Sequence, residues 1–287
     1  MGMVMTDVGA KIVDVIIPNF NRTHVVKNAI DSVNRNSNIN KIWLIDDGSD
    51  SEICSFYDTL KIDNLKIIRH SRVCDPGFLR RLAILQSNAD WIAFLDSDDL
   101  WLNDKISVQL NFASKNRVDF VCSPAVDELT FPTSSWEKSI VKINPVSLMA
   151  NNFVVMSSVL VKRELLTKVD TFCFGSSYIK IEDLGTWMRL SHFTNFGVTR
   201  ERLVRFNISE DSFGKGLHKR YRTRLLLAHL KWIFSSENIN FLSKIRNFIF
   251  IFCAEITRRL IFAFRRLKVR NKIRQLRARV WSDQETE

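Results

Sequence analysis

The feature that most constrains this chain is a repeated alternation in its first half. Short β-branched or apolar runs stop at clusters of polar residues, and helix-like segments fill the gaps. Ile12–Pro18 ends at Asn19-Phe20-Asn21-Arg22, Lys41–Ile45 ends at Asp46-Asp47-Gly48-Ser49, and Trp91–Leu95 ends at Asp96-Ser97-Asp98-Asp99. Leu65–Arg69 and Asp119–Cys122 read as two further strands. Between them, the spacing predicts helices from Thr23 to Asn36, Asp50 to Leu60, Pro76 to Ser87, and Asn103 to Lys115, with Val25, Val26, Ala29, Ile30 and Val33 on one face of the first. Strands alternating with helices in this way imply βαβ units, a mostly parallel sheet and flanking helices, which is a Rossmann-like α/β fold. Ligands of such sheets collect at the carboxyl ends of the strands.

Asp, Gly and Ser are also ordinary turn formers, so one acidic cluster would carry little. Three polar strand ends in order carry more, because the five aspartates there exceed what turns need. Crowded carboxylates repel unless a cation lies between them. Oxygen-only ligands favour Mg²⁺ or Mn²⁺, whose shells are commonly completed by water and substrate phosphates. There is no GxGxxG after the first strand and no GxxxxGK[ST] in the chain, which disfavours a dinucleotide dehydrogenase or a P-loop NTPase. A diphosphate would then be neutralised by metal and by side chains such as Arg80 or Arg81.

Beyond Cys122 the pattern loosens. Pro124–Asn152 is irregular, Val154–Lys162 reads as a strand, and Arg163–Val169 as a short helix. Glu182–Phe193 reads as a helix with Leu184, Trp187, Met188 and Leu190 inward, and Val198–Phe206 holds one or two short strands. The five cysteines are scattered and form no CxxC, so reduced thiols are expected and neither a disulfide framework nor a structural zinc site is. The first residues lack a basic segment followed by a long apolar run, so no signal peptide is expected.

Taken together, Val15-Ile16-Ile17-Pro18-Asn19-Phe20-Asn21-Arg22, Asp46-Asp47-Gly48-Ser49, Arg80 and Phe94-Leu95-Asp96-Ser97-Asp98-Asp99 resemble the motifs of family 2 glycosyltransferases with the GT-A fold. Glu182-Asp183, followed by Trp187-Met188-Arg189-Leu190, resembles that family's acceptor-side ED motif. The resemblance covers roughly residues 12–210. It implies that Pro18, Asn19 and Phe20 line the nucleotide pocket, that Asp47 reads the uracil edge and that Asp46 shapes its loop. It implies further that Arg80 faces the donor, that Asp96 lies near the ribose or donor sugar, that Asp98 is the main ligand of Mn²⁺ or Mg²⁺, and that Asp183 is the catalytic base. Glu182, Trp187 and Arg189 fall on the acceptor side. A carboxylate opening a helix is favoured by the helix dipole, so the pKa of Asp183 is expected to stay near its ordinary value. The usual ARN segment reads Leu79-Arg80-Arg81, and Asn207 stands where the family often has a histidine. His192 and His218 read as packing or surface residues, with metal ligation as the alternative, and Trp101 packs beside the metal loop.

Charge divides the chain. The formal net charge is +11, yet residues 215–280 hold 18 Lys and Arg against only Glu237 and Glu255. The boundaries expected are a catalytic domain over 1–214, with a nucleotide-sugar half at 12–122 and an acceptor half at 123–214, and a basic amphipathic helical region over 215–287. Helices are predicted over Leu217–Phe234, Asn240–Phe264 and Arg265–Trp281. No apolar stretch there approaches the ~20 residues that span a bilayer. A solvated cap, a nucleic-acid surface and a membrane-interface segment compete as readings. No nucleic-acid module is recognisable, and the mix of Phe, Ile and Leu with Lys and Arg suits an anionic membrane surface. With that tail, the resemblance implies an inverting enzyme passing a hexose or N-acetylhexosamine from a UDP-sugar to an undecaprenyl-diphosphate saccharide, at the cytoplasmic face of the inner membrane, in O-antigen, lipopolysaccharide or capsule synthesis. The alternatives are a protein or soluble-glycan acceptor, or a non-catalytic sugar-nucleotide-binding scaffold.

Overall fold

A computed structural model describes residues 13–102, 104–125, 140–142, 145, 148, 152–169, 171–172, 181–206, 219–237, 239–245, 248–249 and 252–253. Asn103, Asn207, His218, Cys173 and the helix expected over 265–281 lie outside these, as does most of 124–152. By its contacts the chain divides into two compact units, Met1–His229 and Leu230–Glu287.

The first unit is built on an eight-stranded sheet in the order β3-β2-β1-β4-β8-β6-β9-β7. Its leading strands are β1 (Val13–Asn19), β2 (Ile39–Asp47), β3 (Leu65–His70) and β4 (Trp91–Phe94), and β1 pairs in parallel with both β2 and β4. The remaining strands are β6 (Phe120–Cys122), β7 (Ile140–Val141), β8 (Leu160–Lys162) and β9 (Phe196–Val198). Strand β8 runs antiparallel between β4 and β6, β6 and β9 are parallel, and β7 is antiparallel to β9. All seven residues of β1 are buried, as a parallel strand covered on both faces requires. Asp14 sits inside it because three donors meet its carboxylate: Asn40 Nδ2 at 2.8 Å, Trp43 Nε1 at 2.8 Å and Ser87 Oγ at 2.6 Å. This buried acid is structural.

The helices follow the expected order: α1 (His24–Asn34), α2 (Ser51–Asp58), α3 (Pro76–Gln86) and α4 (Lys105–Asn116). In α1, Val26, Ala29, Ile30 and Val33 are buried, but Val25 is exposed. One residue is a 100° turn of the helix, which carries Val25 off the i, i+3, i+4, i+7 stripe. Strand β2 extends through Asp46 and Asp47, which pair with Arg69 and His70. These aspartates therefore form the last two pairs of the ladder, which extends two residues past Ile45.

The expected strand over Val154–Lys162 is mostly something else. Met156–Ser158 form a single 3₁₀ turn, and only Leu160–Lys162 pair. Ser157 explains the difference. Its hydroxyl accepts from Asp96 N at 3.0 Å and donates to Asp99, and its carbonyl accepts from Trp101 Nε1 at 2.8 Å. The segment is shaped to serve the loop after β4. That loop leads into β5 (Leu100–Trp101), which pairs antiparallel with β10 (Val204–Arg205).

Helix α5 (Arg163–Lys168) precedes α6 (Glu182–Leu190), which ends three residues before the expected Phe193. Leu184, Trp187, Met188 and Leu190 are buried. Trp187 packs edge-on against Phe120 with centroids 5.3 Å apart, within a cluster including Phe94 and Phe172. This anchorage fixes where the first turn of α6 points. Helix α7 runs over Lys219–Ser235. In the second unit the described residues 241–245, 248–249 and 252–253 are helical.

Candidate active site

The carboxyl rim of the sheet brings the residues expected from the sequence into two groups. The first lies at the ends of β1 and β2. Asn19 is buried, and its Nδ2 donates to Tyr57 Oη and, at 3.2 Å, to the Arg22 carbonyl. Its Oδ1 is a buried acceptor with no partner among the described residues. Asp46 binds the Ser49 hydroxyl and, at 3.2 Å, Ser49 N. Asp47 is more fully engaged: it accepts from Val73 N at 2.7 Å, Cys74 N at 3.0 Å and Arg72 Nη1 at 2.9 Å. Gly48 has φ +71°, and a Cβ there would stand 2.6 Å from Arg72 N. The turn thus needs glycine on both counts. The Arg72 guanidinium lies over the half-exposed Phe20 ring, its carbon 3.2 Å from the centroid. The result is a contiguous set of one aromatic ring, one arginine and a fixed carboxylate.

The second group surrounds Arg80. Asp75 caps α3 by accepting from Phe78 N at 3.0 Å, with Pro76 in the first turn. This arrangement sends Arg80 inward, where it is 5% exposed. Its Nη2 lies 2.6 Å from Asp96 Oδ1 and its Nη1 3.2 Å from Glu182 Oε1. One guanidinium therefore ties the end of β4 to the start of α6. Gly77 makes room for this, since a Cβ there would come within 2.7 Å of Glu182 Cγ. Asp183 follows Glu182, partly accessible, with Asn152 Nδ2 3.4 Å from its Oδ2.

Among the described residues one cation, Arg80, faces the three acids Asp96, Glu182 and Asp183. Burial, with repulsion from Asp183, pushes Glu182 up to about 7. Asp183 is also raised, chiefly by removal from water and further by Asp96, against a lowering by its own helix-start hydrogen bond and by Arg80. The expectation of an ordinary pKa for Asp183 is thus corrected: desolvation outweighs the helix terminus. Burial alone would lower the pKa of Arg80, but Asp96 and Glu182 hold it above the usual arginine value.

The loop after β4 separates its acids. Asp99 is buried and bound by Ser157. Asp98 faces the opening, where Arg22 Nη1 approaches its Oδ2 at 3.0 Å. Among the described residues, no group of three or more Asp, Glu, His or Cys could hold a metal. The donors available at the rim are hard carboxylate oxygens on Asp98 and Asp96, both partly exposed. That set fits Mg²⁺ or Mn²⁺ completed by phosphate and water, and does not fit an all-protein cage.

Three residues named from the sequence sit away from the opening. Pro18 lies in the buried ladder opposite Ile45. Trp187 is wholly buried, and Arg189 donates to the Val169 carbonyl at 3.2 Å. The last two hold α6 in place and do not line the rim. Arg81 donates to the Thr171 carbonyl at 3.2 Å. His192 Nε2 lies 3.1 Å from His229 Nε2, a packing pair. Four rim residues escaped sequence reasoning: Arg22 as an ion-pair partner, Tyr57, Arg72 and Ser157. Arg72 follows the carboxyl end of β3, so the strand-end rule could have found it. Nothing in local sequence marks Ser157.

A mostly parallel sheet with acids and arginines at its carboxyl rim, in place of a glycine-rich phosphate loop, defines an α/β protein of the GT-A type. The model of the family described as "Glycosyl transferase family 2" matches residues 14–180, and the chain belongs to that family. It is 39% identical over 109 residues to an "Uncharacterized glycosyltransferase" of Rickettsia felis, a match covering 38% of this chain and 18% of that protein. The chain therefore spans less than a fifth of the length of such relatives. It is 26% identical over 216 residues to WfgD of Escherichia coli, "UDP-Glc:alpha-D-GlcNAc-diphosphoundecaprenol beta-1,3-glucosyltransferase", covering 70% of this chain and 81% of that one. Among solved structures, S. aureus TarS 1–349 in complex with UDP-GlcNAc superposes with a TM-score of 0.65 at 14% identity, covering 82% of this chain and 69% of that chain. At that identity the likeness speaks for the fold alone.

Proposed function

We propose that this protein is an inverting, metal-dependent glycosyltransferase that moves a hexose or N-acetylhexosamine from a UDP-sugar to an undecaprenyl-diphosphate-linked saccharide, in the synthesis of O-antigen or a similar surface polysaccharide. The single observation that carries the catalytic part is the Arg80 clamp. It sets Asp183, an acid with a raised proton affinity, on the same rim as the carboxylates that follow β4.

Phe20 and Arg72 provide the stacking wall for a base. Asp47 shapes that wall through Val73 and Cys74 and presents a carboxylate to the uracil edge. The unpartnered Oδ1 of Asn19 accepts a ligand donor. Arg80 keeps Asp96 and Glu182 in register beneath the donor sugar. Asp183 takes the proton of the acceptor hydroxyl as its oxygen bonds the anomeric carbon. The bond from that carbon to the diphosphate oxygen breaks on the opposite face, and the configuration inverts. Asp98, with Asp96 near it, would hold Mn²⁺ or Mg²⁺, which when bound supplies charge to stabilise the departing diphosphate.

The acceptor is inferred from the names of the 26%-identical E. coli relatives WfgD and WfaP and from the second unit. In that unit Phe241, Leu242, Ile245, Phe248, Ile249 and Phe252 are exposed and recur at helical spacing. No helix among the described residues is long and apolar enough to cross a membrane. An amphipathic segment of this kind lies in the interface plane, and its basic surroundings suit anionic headgroups of the cytoplasmic face. These features support reading residues 1–214 as catalytic and 215–287 as membrane-associating, although the compact units divide at His229.

The deciding experiment offers a panel of UDP-sugars, UDP-glucose first, to undecaprenyl-diphosphate GlcNAc and to soluble GlcNAc glycosides, with wild-type protein and Asp183→Asn. Transfer to the lipid acceptor by wild type alone supports the reading. Transfer only to soluble acceptors, or undiminished turnover by the variant, overturns it.

A further inference from the structure

Two arginines meet the acidic loop after β4, and they meet it differently. Arg80 is 6% exposed at its side chain and uses both terminal nitrogens on two carboxylates. Arg22 is 40% exposed and uses one nitrogen, Nη1, for both of its contacts: Ser97 Oγ at 2.9 Å and Asp98 Oδ2 at 3.0 Å. The rest of its planar fork has no hydrogen bond among the described residues.

The backbone beneath Arg22 is held firmly. Its carbonyl accepts from Asn19 Nδ2 at 3.2 Å and Tyr57 Oη at 3.1 Å. The preceding Asn21 is fixed through Ser49 Oγ at 2.8 Å and Asp50 at 2.9 Å and 3.0 Å. A pinned base carries a long, loosely held cationic side chain, which is the arrangement of a part that turns. Its present partner, Asp98, is partly exposed, at 21% of its side chain, beside Asp96 at 34%, so both carboxylates can be reached by an arriving divalent ion.

We infer that Arg22 is an exchangeable counter-ion, a positioning residue that neutralises Asp98 before ligands bind and then turns its guanidinium to the diphosphate. This inference rests on the reading of the site as a metal and sugar-nucleotide site. The physical argument has two sides. A half-exposed, single-nitrogen ion pair contributes little, so a doubly charged ion can displace it. A freed guanidinium matches phosphate oxygens in charge and shape better than an ammonium does. Until then Arg22 offsets the repulsion between Asp98 and its neighbours, so the loop keeps its form without an ion. The residue therefore opposes the bare cation and assists the cation together with nucleotide.

Those opposite signs are what binding measurements can read. Full-length wild type, Arg22→Gln and Arg22→Lys are titrated with Mn²⁺ alone, followed by electron paramagnetic resonance. Each is then titrated with UDP at saturating Mn²⁺, followed by calorimetry. For Arg22→Gln, Mn²⁺ alone should bind about two- to fivefold tighter, the effect of removing an exposed ion pair. UDP should bind about tenfold weaker, the effect of losing a charge-assisted phosphate contact. Arg22→Lys keeps the charge and should leave Mn²⁺ affinity near wild type while losing part of the UDP affinity. Unchanged or weaker Mn²⁺ binding by Arg22→Gln, or unchanged UDP binding, overturns the inference. A wild type that binds neither Mn²⁺ nor UDP instead removes the reading of the site itself, and the inference with it.

Discussion

The two carboxylate groups at the rim are made from the same residue types and reach opposite electrostatic solutions. At the end of β2, Asp47 receives two backbone N–H groups and an arginine, and Asp46 receives the N–H and hydroxyl of Ser49. Every donor comes from a neighbouring loop, so the acids are satisfied where they stand. Around Arg80, one guanidinium faces Asp96 and Glu182 with Asp183 beside them, and burial raises the proton affinity of the last two. The first group is built to hold a shape, which suits recognition of a base. The second holds buried acids of raised proton affinity, which suits proton transfer. A perturbation of that kind marks functional sites more often than structural ones.

The sharpest way to test this contrast is to neutralise one acid in each group. Asp183→Asn should cut transfer by about 10²–10⁴, the usual contribution of a general base. It should leave UDP binding and the urea midpoint near wild type, because it relieves repulsion. Comparable loss from Asp47→Asn, with equal retention of UDP binding, would erase the distinction. Removing the shared cation should matter most for stability. Arg80→Met strands Asp96, Glu182 and Asp183, and should cost about 3–5 kcal/mol in chemical denaturation. The contrast would fail if that cost fell below the loss from Asp47→Asn.

The pH dependence follows from Glu182. Its folded pKa, near 7, lies above that of the unfolded chain, so the folded state holds the extra proton between about pH 4.5 and 7. Stability should therefore fall as pH rises through that window, by up to about 3 kcal/mol, at roughly 1.4 kcal/mol per pKa unit. Glu182→Gln, which can still accept from Arg80, should flatten the slope in pH-resolved urea titrations. At the first group, Asp47→Asn keeps one acceptor oxygen and should leave one of the Val73 and Cys74 backbone donors unmet, at a cost of about 1–3 kcal/mol, with weaker UDP binding by calorimetry. An effect of similar size, steric in origin, should come from Gly77→Ala. It presses on Glu182 Cγ at 2.7 Å and should cost about 1–3 kcal/mol, falling if Glu182 is cut back to Ala in the same chain, which removes that Cγ.

Much of this was readable from order and periodicity. The β-branched runs gave the strands, and their polar ends gave Asn19, Asp46, Asp47, Asp96 and Asp98, because a parallel sheet presents all its carboxyl ends on one side. Two errors share a cause. Val154–Lys162 has the composition of a strand, and Asp183 has the position of a helix-stabilised acid. In both, long-range partners outweighed local preference: Asp96, Asp99 and Trp101 draw Ser157 out of the ladder, and the surrounding protein removes water from Asp183.

Local pattern alone thus determined the α/β class, the strand order along the chain, the acidic rim and the basic character of residues 215–280. Only the tertiary structure decided which acid meets which cation. Arg80 joins residues 16 and 102 positions away, and Arg22 reaches Asp98 across 76 positions. Hydrophobic periodicity records which face of an element is buried. Pairing between charges depends on how elements from distant parts of the chain converge, and no local period encodes that convergence.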